Sequence, residues 1–568
     1  MQDWRVFSKK ADFTAVGSRF NIDPVVARII RNRDIIGDEA IDKFLNGTIT
    51  DLYSPNLMKD LTKSVKILSD SIRSGEQIRI IGDYDIDGIC SIYILFKGLK
   101  SLGAVVDYDI PDRVTDGYGI NENLIKKAWQ DGVKVILTCD NGIAAVEQIA
   151  YAKELGMKVI VTDHHDLQYV DDADGRKYLL PMADAVVNPK QPDCPYPYKM
   201  LCGAGVAYKL ISMMCDSEKF IPYAAIATVG DIVDLTDENR IIVKTGLSML
   251  KEIKDPGLCA LMQVNGIDKA AISTYHIGFV IGPCLNASGR LDTAKRALEL
   301  LLTEDEDSAY GYAEELKALN EERKKLTSES VLQAFEIMER DNINENPIPV
   351  IYLPDCHESI AGIVAGRIKD AIYKPVIVVT DSENGLKGSA RSIDGVNIFE
   401  KIMECSELLT RFGGHAMAAG LSLSKENLDL FRTGINAECK LTEKDFVRTI
   451  WIDVPLPVEY LNENLVKELE LLAPFGKANP KPVFADKGFI LQNVRPIGKN
   501  SEYTRMTLQK PGGIRIAAVG FFPYDELYEA AGAGQKVSVT YYPEIDEFRG
   551  ESHLQICVTG YRIEEGIS

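Results

Sequence analysis

The sequence predicts an α/β protein built around a doubly wound parallel sheet. Between residues 77 and 190, short β-branched runs alternate with helical stretches, the pattern of repeated βαβ units. Three of these runs end at their carboxyl side in acids or histidines. Ile78-Arg79-Ile80-Ile81 leads into Gly82-Asp83-Tyr84-Asp85-Ile86-Asp87-Gly88, the run 133–139 into Asp140-Asn141-Gly142, and the run 158–162 into Asp163-His164-His165-Asp166. Ligand sites in open parallel sheets lie outside the carboxyl ends of the strands, so these edges converge on one crevice.

Asp with neutral His is the donor set of Mn²⁺, Mg²⁺ or a similar divalent ion. Several carboxylates at one point repel each other unless cations neutralise them. Two ions roughly 3.5–4 Å apart would share a carboxylate and clamp a phosphate during in-line attack by water. The competing account is a set of polar loops with acids at helix N-termini, where the helix dipole favours them.

With 568 residues the chain is too long for one core, and about three domains are expected. Its 46% hydrophobic and 26% charged residues are those of a globular protein. The 11 cysteines form no Cys-x-x-Cys pair, which leaves no zinc ribbon or disulfide framework and points to a reducing cytoplasm. Met1-Gln2-Asp3-Trp4 opens neither a signal nor a transit peptide, and no apolar run is long enough for a bilayer. Against 64 Lys and Arg stand 84 Asp and Glu, a net charge of −20. That balance argues against coating nucleic acid by an overall field, but it leaves room for a nuclease with a narrow basic groove.

Residues 1–60 form an N-terminal helical segment, in which Asp23-Pro24 caps a helix. Residues 61–303 form the first α/β domain. A helix over 63–72 precedes the acid strand and a buried helix follows Gly88. A strand over 104–110 ends at Pro111-Asp112-Arg113, and Gly117-Tyr118-Gly119 turns into the next helix. Gly156 caps the helix of 144–155. Leu201-Cys202-Gly203-Ala204-Gly205 opens a helix whose glycines suit either close helix packing or a phosphate nest. The apolar helix of 223–229 delivers Gly230-Asp231-Ile232-Val233-Asp234.

Residues 304–346 are rich in Glu, Lys, Leu and Ala at helical spacing and read as a long helical linker. A second α/β domain, 347–445, contains His357-Glu358-Ser359, Gly388-Ser389-Ala390-Arg391-Ser392 and Gly413-Gly414-His415. Small residues and one His let a backbone approach a phosphate chain, although a tight strand connection with a buried His has the same composition. From 446 to 568, about five short strands separated by Gly and Asn turns suggest an OB-type β-barrel. Such barrels stack single-stranded bases on aromatics, and Arg495, Lys499, Arg505, Lys510 and Arg515 supply local positive charge. The same strands would serve a structural cap.

Asp85-Ile86-Asp87, Asp140-Asn141-Gly142, Asp163-His164-His165 and Gly230-Asp231 resemble the four motifs of the DHH phosphoesterase superfamily. The second α/β domain is similar to the DHHA1 domain that accompanies DHH domains. Leu285-Asn286-Ala287-Ser288-Gly289-Arg290 and Leu472-Ala473-Pro474-Phe475-Gly476 resemble segments of the superfamily's single-strand-specific DNA exonucleases. The resemblance implies a DHH domain, a helical linker, a DHHA1 domain and an OB-type barrel. It implies a 5′-to-3′ exonuclease that hydrolyses single-stranded DNA to 5′-mononucleotides in repair and recombination, using two Mn²⁺ or Mg²⁺ ions.

On that resemblance Asp85, Asp87, Asp140, His164 and Asp231 are metal ligands, with Asp140 the bridge. His165 faces the scissile phosphate, and Asp83, Asp163 and Asp234 orient the ligands. Arg113, Tyr118, Asn286, Arg290, Arg367, Ser389, Arg391, Gly414 and His415 contact nucleic acid. The implied partners are single-stranded DNA, a single-strand-binding protein and a helicase, with no membrane, and the chain is expected to be a monomer. Glu358-Ser359 departs from the Pro-Gly that many members carry after the histidine. Two alternatives stand beside this. One is an oligoribonuclease or cyclic-dinucleotide phosphodiesterase of the same superfamily, which would need neither barrel nor linker. The other is an inactive DNA-binding scaffold, which would have no need of a repulsive acid cluster.

Overall fold

The computed structural model describes residues 2–112, 119–172, 175–383, 385–437, 439–498, 501–522, 524–548 and 551–564. They fall into two compact units. The first comprises Tyr53–Val233 and Thr245–Arg448. The second comprises Gln2–Leu52, Asp234–Lys244 and the chain from Thr449.

The first unit opens with a five-stranded parallel sheet in the order Val106–Asp109, Ile78–Ile81, Val135–Cys139, Lys158–Thr162, Ala185–Val187. In chain order this is 2-1-3-4-5, so the winding reverses between the first and third strands. That switch point is where such sheets open a crevice. The strands that flank it carry the Asp83–Asp87 loop and Asp140. Ile78, Ile80, Ile81, Val135, Ile136, Leu137, Val159, Ile160 and Val161 are wholly buried. Burial on both faces explains why these strands read as continuous apolar runs.

Glu306–Arg340 is a single 35-residue helix. It leads to a second sheet ordered Leu409–His415, Ala418–Leu423, Gly385–Arg391, Val376–Ser382, Val350–Tyr352. Only the Val376–Ser382/Val350–Tyr352 pair is parallel. Helices Ala361–Ile372 and Leu428–Ala437 close cores over Val364, Ile368 and Val378 and over Ile377, Leu421 and Phe431.

In the second unit a barrel closes through Phe484–Ile497, Tyr503–Gln509, Arg515–Gly520, Glu551–Ile563 and Lys536–Phe548, the last pairing back to the first. Helices Phe13–Phe20, Pro24–Asn32 and Asp38–Asn46 share its core. Arg33 and Asp453 form a buried ion pair at 2.7 Å. Arg240 is buried with no carboxylate partner among the described residues and donates to the Phe44, Leu471 and Leu472 carbonyls at 2.8–2.9 Å. Burial lowers its guanidinium to about 10, so it stays charged at neutral pH.

Two pairings were not foreseen in the sequence. Gln2–Val6 is a strand that pairs with Arg448–Ile452, and Tyr169–Asp172 forms a hairpin with Gly175–Tyr178. Each is too short to show a period of its own. Among the described residues no helix is long and apolar enough to cross a membrane.

Candidate metal centre

The acid loop is held by backbone amides. Asp85 caps helix Ile86–Ser101, accepting from the Asp87 and Gly88 amides at 3.0 and 3.1 Å. Asp87, in the first turn, accepts from the Gly203 amide at 2.6 Å on one oxygen and from Ala204 at 2.7 Å on the other. The N-terminus of helix Gly203–Ser212 is therefore an anion nest filled by the protein's own carboxylate. It also needs glycine: a Cβ at residue 203 would stand 2.7 Å from Asp140 Cβ.

Asp140 adopts a left-handed backbone, φ 59°, that Asp tolerates better than most residues. Asn141 fixes its loop. Its amide donates to the Ile81 and Cys139 carbonyls, and its oxygen accepts from Ile120 N–H. Asp163 accepts four hydrogen bonds, from the amides of Ile143, His164 and His165 and from His165 Nδ1 at 2.8 Å. It fixes the ring of His165. Asp231 caps the end of helix Ile221–Gly230.

These elements bring seven side chains together. His164 Nε2, buried, lies 3.1 Å from Asp140, 3.5 Å from Asp87 and 3.7 Å from Asp231, and satisfies no hydrogen bond. Among the described residues three sets can each place ligand atoms within 4.8 Å of one another: Asp140, His164 and His165; Asp87, His164 and Asp231; Asp83, Asp85 and Asp140. Asp140 and His164 each belong to two sets, and Asp83 joins one of them.

Burial, then the neighbouring Asp85 charge, raises Asp87 to about 6. Burial, then Asp87 and Asp85, raises Asp231 to about 8, and the same causes push Asp140 well above the carboxylate range. Burial and the charge of His165 lower His164 to about 3, so its imidazole stays neutral with a free lone pair. At Asp163 burial acts upward, but the hydrogen bond and charge of His165 outweigh it and hold the carboxyl at about 2. Burial depresses His165, yet the bond to Asp163 and the surrounding carboxylates raise it to about 9. Burial keeps the nearby thiols Cys90, Cys139 and Cys202 protonated. The donors are thus carboxylate oxygens and a neutral imidazole, frustrated by their own repulsion. They fit hard divalent cations.

The remaining candidates are dispersed. Asn286 accepts from the Ile86 amide at 2.8 Å and braces the acid loop from below. Arg290 donates to the Ser359 carbonyl at 2.8 Å, tying the two sheets' domains. Arg367 reaches Ser328 on the long helix, and Arg391 donates to the Ala390 carbonyl. Gly414 has φ 149°, and a Cβ there would meet the Ala418 carbonyl oxygen at 2.5 Å. His415 is exposed at the strand end, and its charge helps lower Asp166 after the hydrogen bond from Lys190. Asp234 belongs to the second unit and pairs with Lys477 at 3.4 Å. Arg113 and Tyr118 lie outside the described residues.

A cavity of about 700 Å³ opens beside the acid loop. Tyr84 lines one side, and Glu358, Ser359, Lys387, Ser389, Arg411 and Gly414 line others. Sequence reasoning missed Tyr84, Lys387 and Arg411. It also missed Asn188, whose amide holds the His165 carbonyl at 3.0 Å. Asn188 follows the fifth strand, so its position at a carboxyl end was the available signal.

Three family models match, described as DHH family, N-terminal domain over 77–230, DHHA1 domain over 346–441, and RecJ OB domain over 452–560. The single-stranded-DNA-specific exonuclease RecJ of Bacillus subtilis is 36% identical over 553 residues, 96% of this chain and 69% of that protein. Its counterpart in Haemophilus influenzae is 33% identical, covering 96% and 97%. This chain belongs to the RecJ family. The crystal structure of Thermus thermophilus RecJ with Mn²⁺ superposes with a TM-score of 0.83 at 26% identity, over 99% of this chain and 80% of that one. The same RecJ was also solved with Mg²⁺. The expected α/β domains and terminal barrel are therefore those of RecJ.

Proposed function

We propose that the chain is a metal-dependent exonuclease of single-stranded DNA that works from the 5′ end and releases 5′-mononucleotides. The observation that carries this is the cluster of buried Asp87 and Asp140 and half-buried Asp231 around a neutral His164 at 3.1–3.7 Å. Its position at the switch point of a RecJ-family sheet supports the reading. Asp85, Asp87, Asp140, His164 and Asp231 would hold two Mn²⁺ or Mg²⁺ ions, with Asp140 between them and Asp83 within reach. Bound there, divalent ions lower the pKa of water to near neutrality and offset phosphate charge.

The chain's own residues supply the rest. Asp163 locks the His165 ring and keeps it protonated, so an imidazolium faces the phosphate where negative charge develops. The Gly203 and Ala204 amides fix the Asp87 carboxylate. The cavity, with Ser389, Gly414 and Tyr84 in its walls, receives the terminal nucleotide. The DHHA1 domain and the barrel favour a long single strand over a dinucleotide. A single-strand-binding protein and a helicase fit as partners in repair, and the eleven free thiols fit the cytoplasm. Asp140→Ala should abolish Mn²⁺-dependent cleavage while leaving the circular dichroism spectrum unchanged. Normal turnover by that folded variant would sink the assignment.

A further inference from the structure

The floor of the 700 Å³ cavity is a patterned sheet face. Strand register aligns Arg411, Ser422 and Lys387 in one row, and Gly413, Gly420 and Ser389 in the next. The glycine row leaves open space, while the adjoining row carries a cation at each end. Lys387 and Ser389 share a face because strand side chains alternate; Leu386 and Ala390 point into the core instead.

Glu358 changes this surface. Its carboxylate lies 2.8 Å from Lys387 Nζ, and its side chain is only 18% exposed against 46% for the lysine. The loop that carries it is fixed at two further points. Ser359 bonds the His357 ring at 2.7 Å, and its carbonyl accepts from Arg290. Glu358 is therefore held in the cavity wall. Lys387 and Arg411 alone would give the cavity two positive charges; with Glu358 the sum is one.

We propose that Glu358 is a specificity-determining residue of this cavity. By holding Lys387 and cancelling its charge, it limits the preference for a strand end that carries a phosphate over one that ends in a hydroxyl. This rests on the cavity's role as the end-binding site proposed above.

The test uses the full chain in EDTA, where cleavage is blocked. Two oligothymidylates labelled at the 3′ end, one with a 5′-phosphate and one with a 5′-hydroxyl, are titrated by fluorescence anisotropy. Glu358→Gln should raise the affinity ratio, phosphate over hydroxyl, by roughly two- to fivefold, the scale of one half-exposed charge pair. Lys387→Met should lower it, and adding Glu358→Gln to Lys387→Met should change it much less than in the wild type. An unchanged ratio in Glu358→Gln, or an equal rise with and without Lys387, would overturn the inference. Digestion of the same strands by the wild type in Mn²⁺ reports separately on the exonuclease activity. A Glu358-dependent ratio without digestion would sustain end recognition and overturn hydrolysis.

Discussion

Replacing Asp163 by Asn removes one charge and keeps the shape of the site. The carboxylate accepts from His165 Nδ1 at 2.8 Å and holds that imidazole at about 9, above the ordinary 6.5. A raised histidine pKa means that the imidazolium is present at low pH and is lost as pH rises through the folded value. In the wild type that loss falls near pH 9; without the Asp163 charge it moves back toward about 6.5. At pH 8 the protonated fraction is then about 0.9 in the wild type and about 0.03 in Asp163→Asn. If the imidazolium stabilises the developing phosphate charge, kcat/KM at pH 8 falls roughly thirtyfold, and much less at pH 6. The assay is the pH profile of kcat/KM on an oligothymidylate at saturating Mn²⁺. An alkaline limb at the same pH in both proteins would refute the role given to His165.

Three further outcomes follow from the same geometry. Gly203→Ala drives a Cβ to 2.7 Å from Asp140 and should weaken Mn²⁺ binding by about 10–100-fold in calorimetry, the scale for lost support of metal ligands; unchanged affinity would refute the nest. Asp231 and Asp87, raised to about 8 and about 6, hold protons that a cation must displace, so Mn²⁺ affinity should climb from pH 6 to 8 with proton release at pH 7. Calorimetry in two buffers of different ionisation enthalpy reads this directly, and a buffer-independent heat would contradict it. Arg240→Met strands three carbonyls, those of Phe44 and Leu472 in buried contacts, and should destabilise the second unit by about 2–3 kcal/mol, seen as a lower melting temperature; an unchanged melt would show that the carbonyls find other donors.

Much of the centre was legible because chemistry and topology coincide in the chain. Asp85, Asp87, Asp140 and Asp163-His164-His165 each follow a β-branched run, and a parallel sheet must gather such ends at one edge. The support was less legible. Gly203 and Ala204 reach Asp87 across more than a hundred residues, and their Gly-Ala-Gly context also fits plain helix packing. Asn286 and Arg290 stand in a motif-like segment, yet they engage the Ile86 amide and the Ser359 carbonyl, contacts that no spacing encodes. The strand Gln2–Val6 escaped notice because its partner Arg448–Ile452 lies over four hundred residues away. Glu358 stood out in the sequence only as a departure from the family pattern, and its pairing with Lys387 needed the fold.

The most direct measurement is Mn²⁺-dependent digestion of a long single-stranded DNA labelled at the 5′ end in one tube and at the 3′ end in another, with short RNA alongside. Immediate release of 5′-labelled mononucleotide, with 3′-labelled strands shortening gradually, is the predicted result. Mononucleotide appearing first from the 3′ label, or cleavage of the short RNA alone, would contradict it.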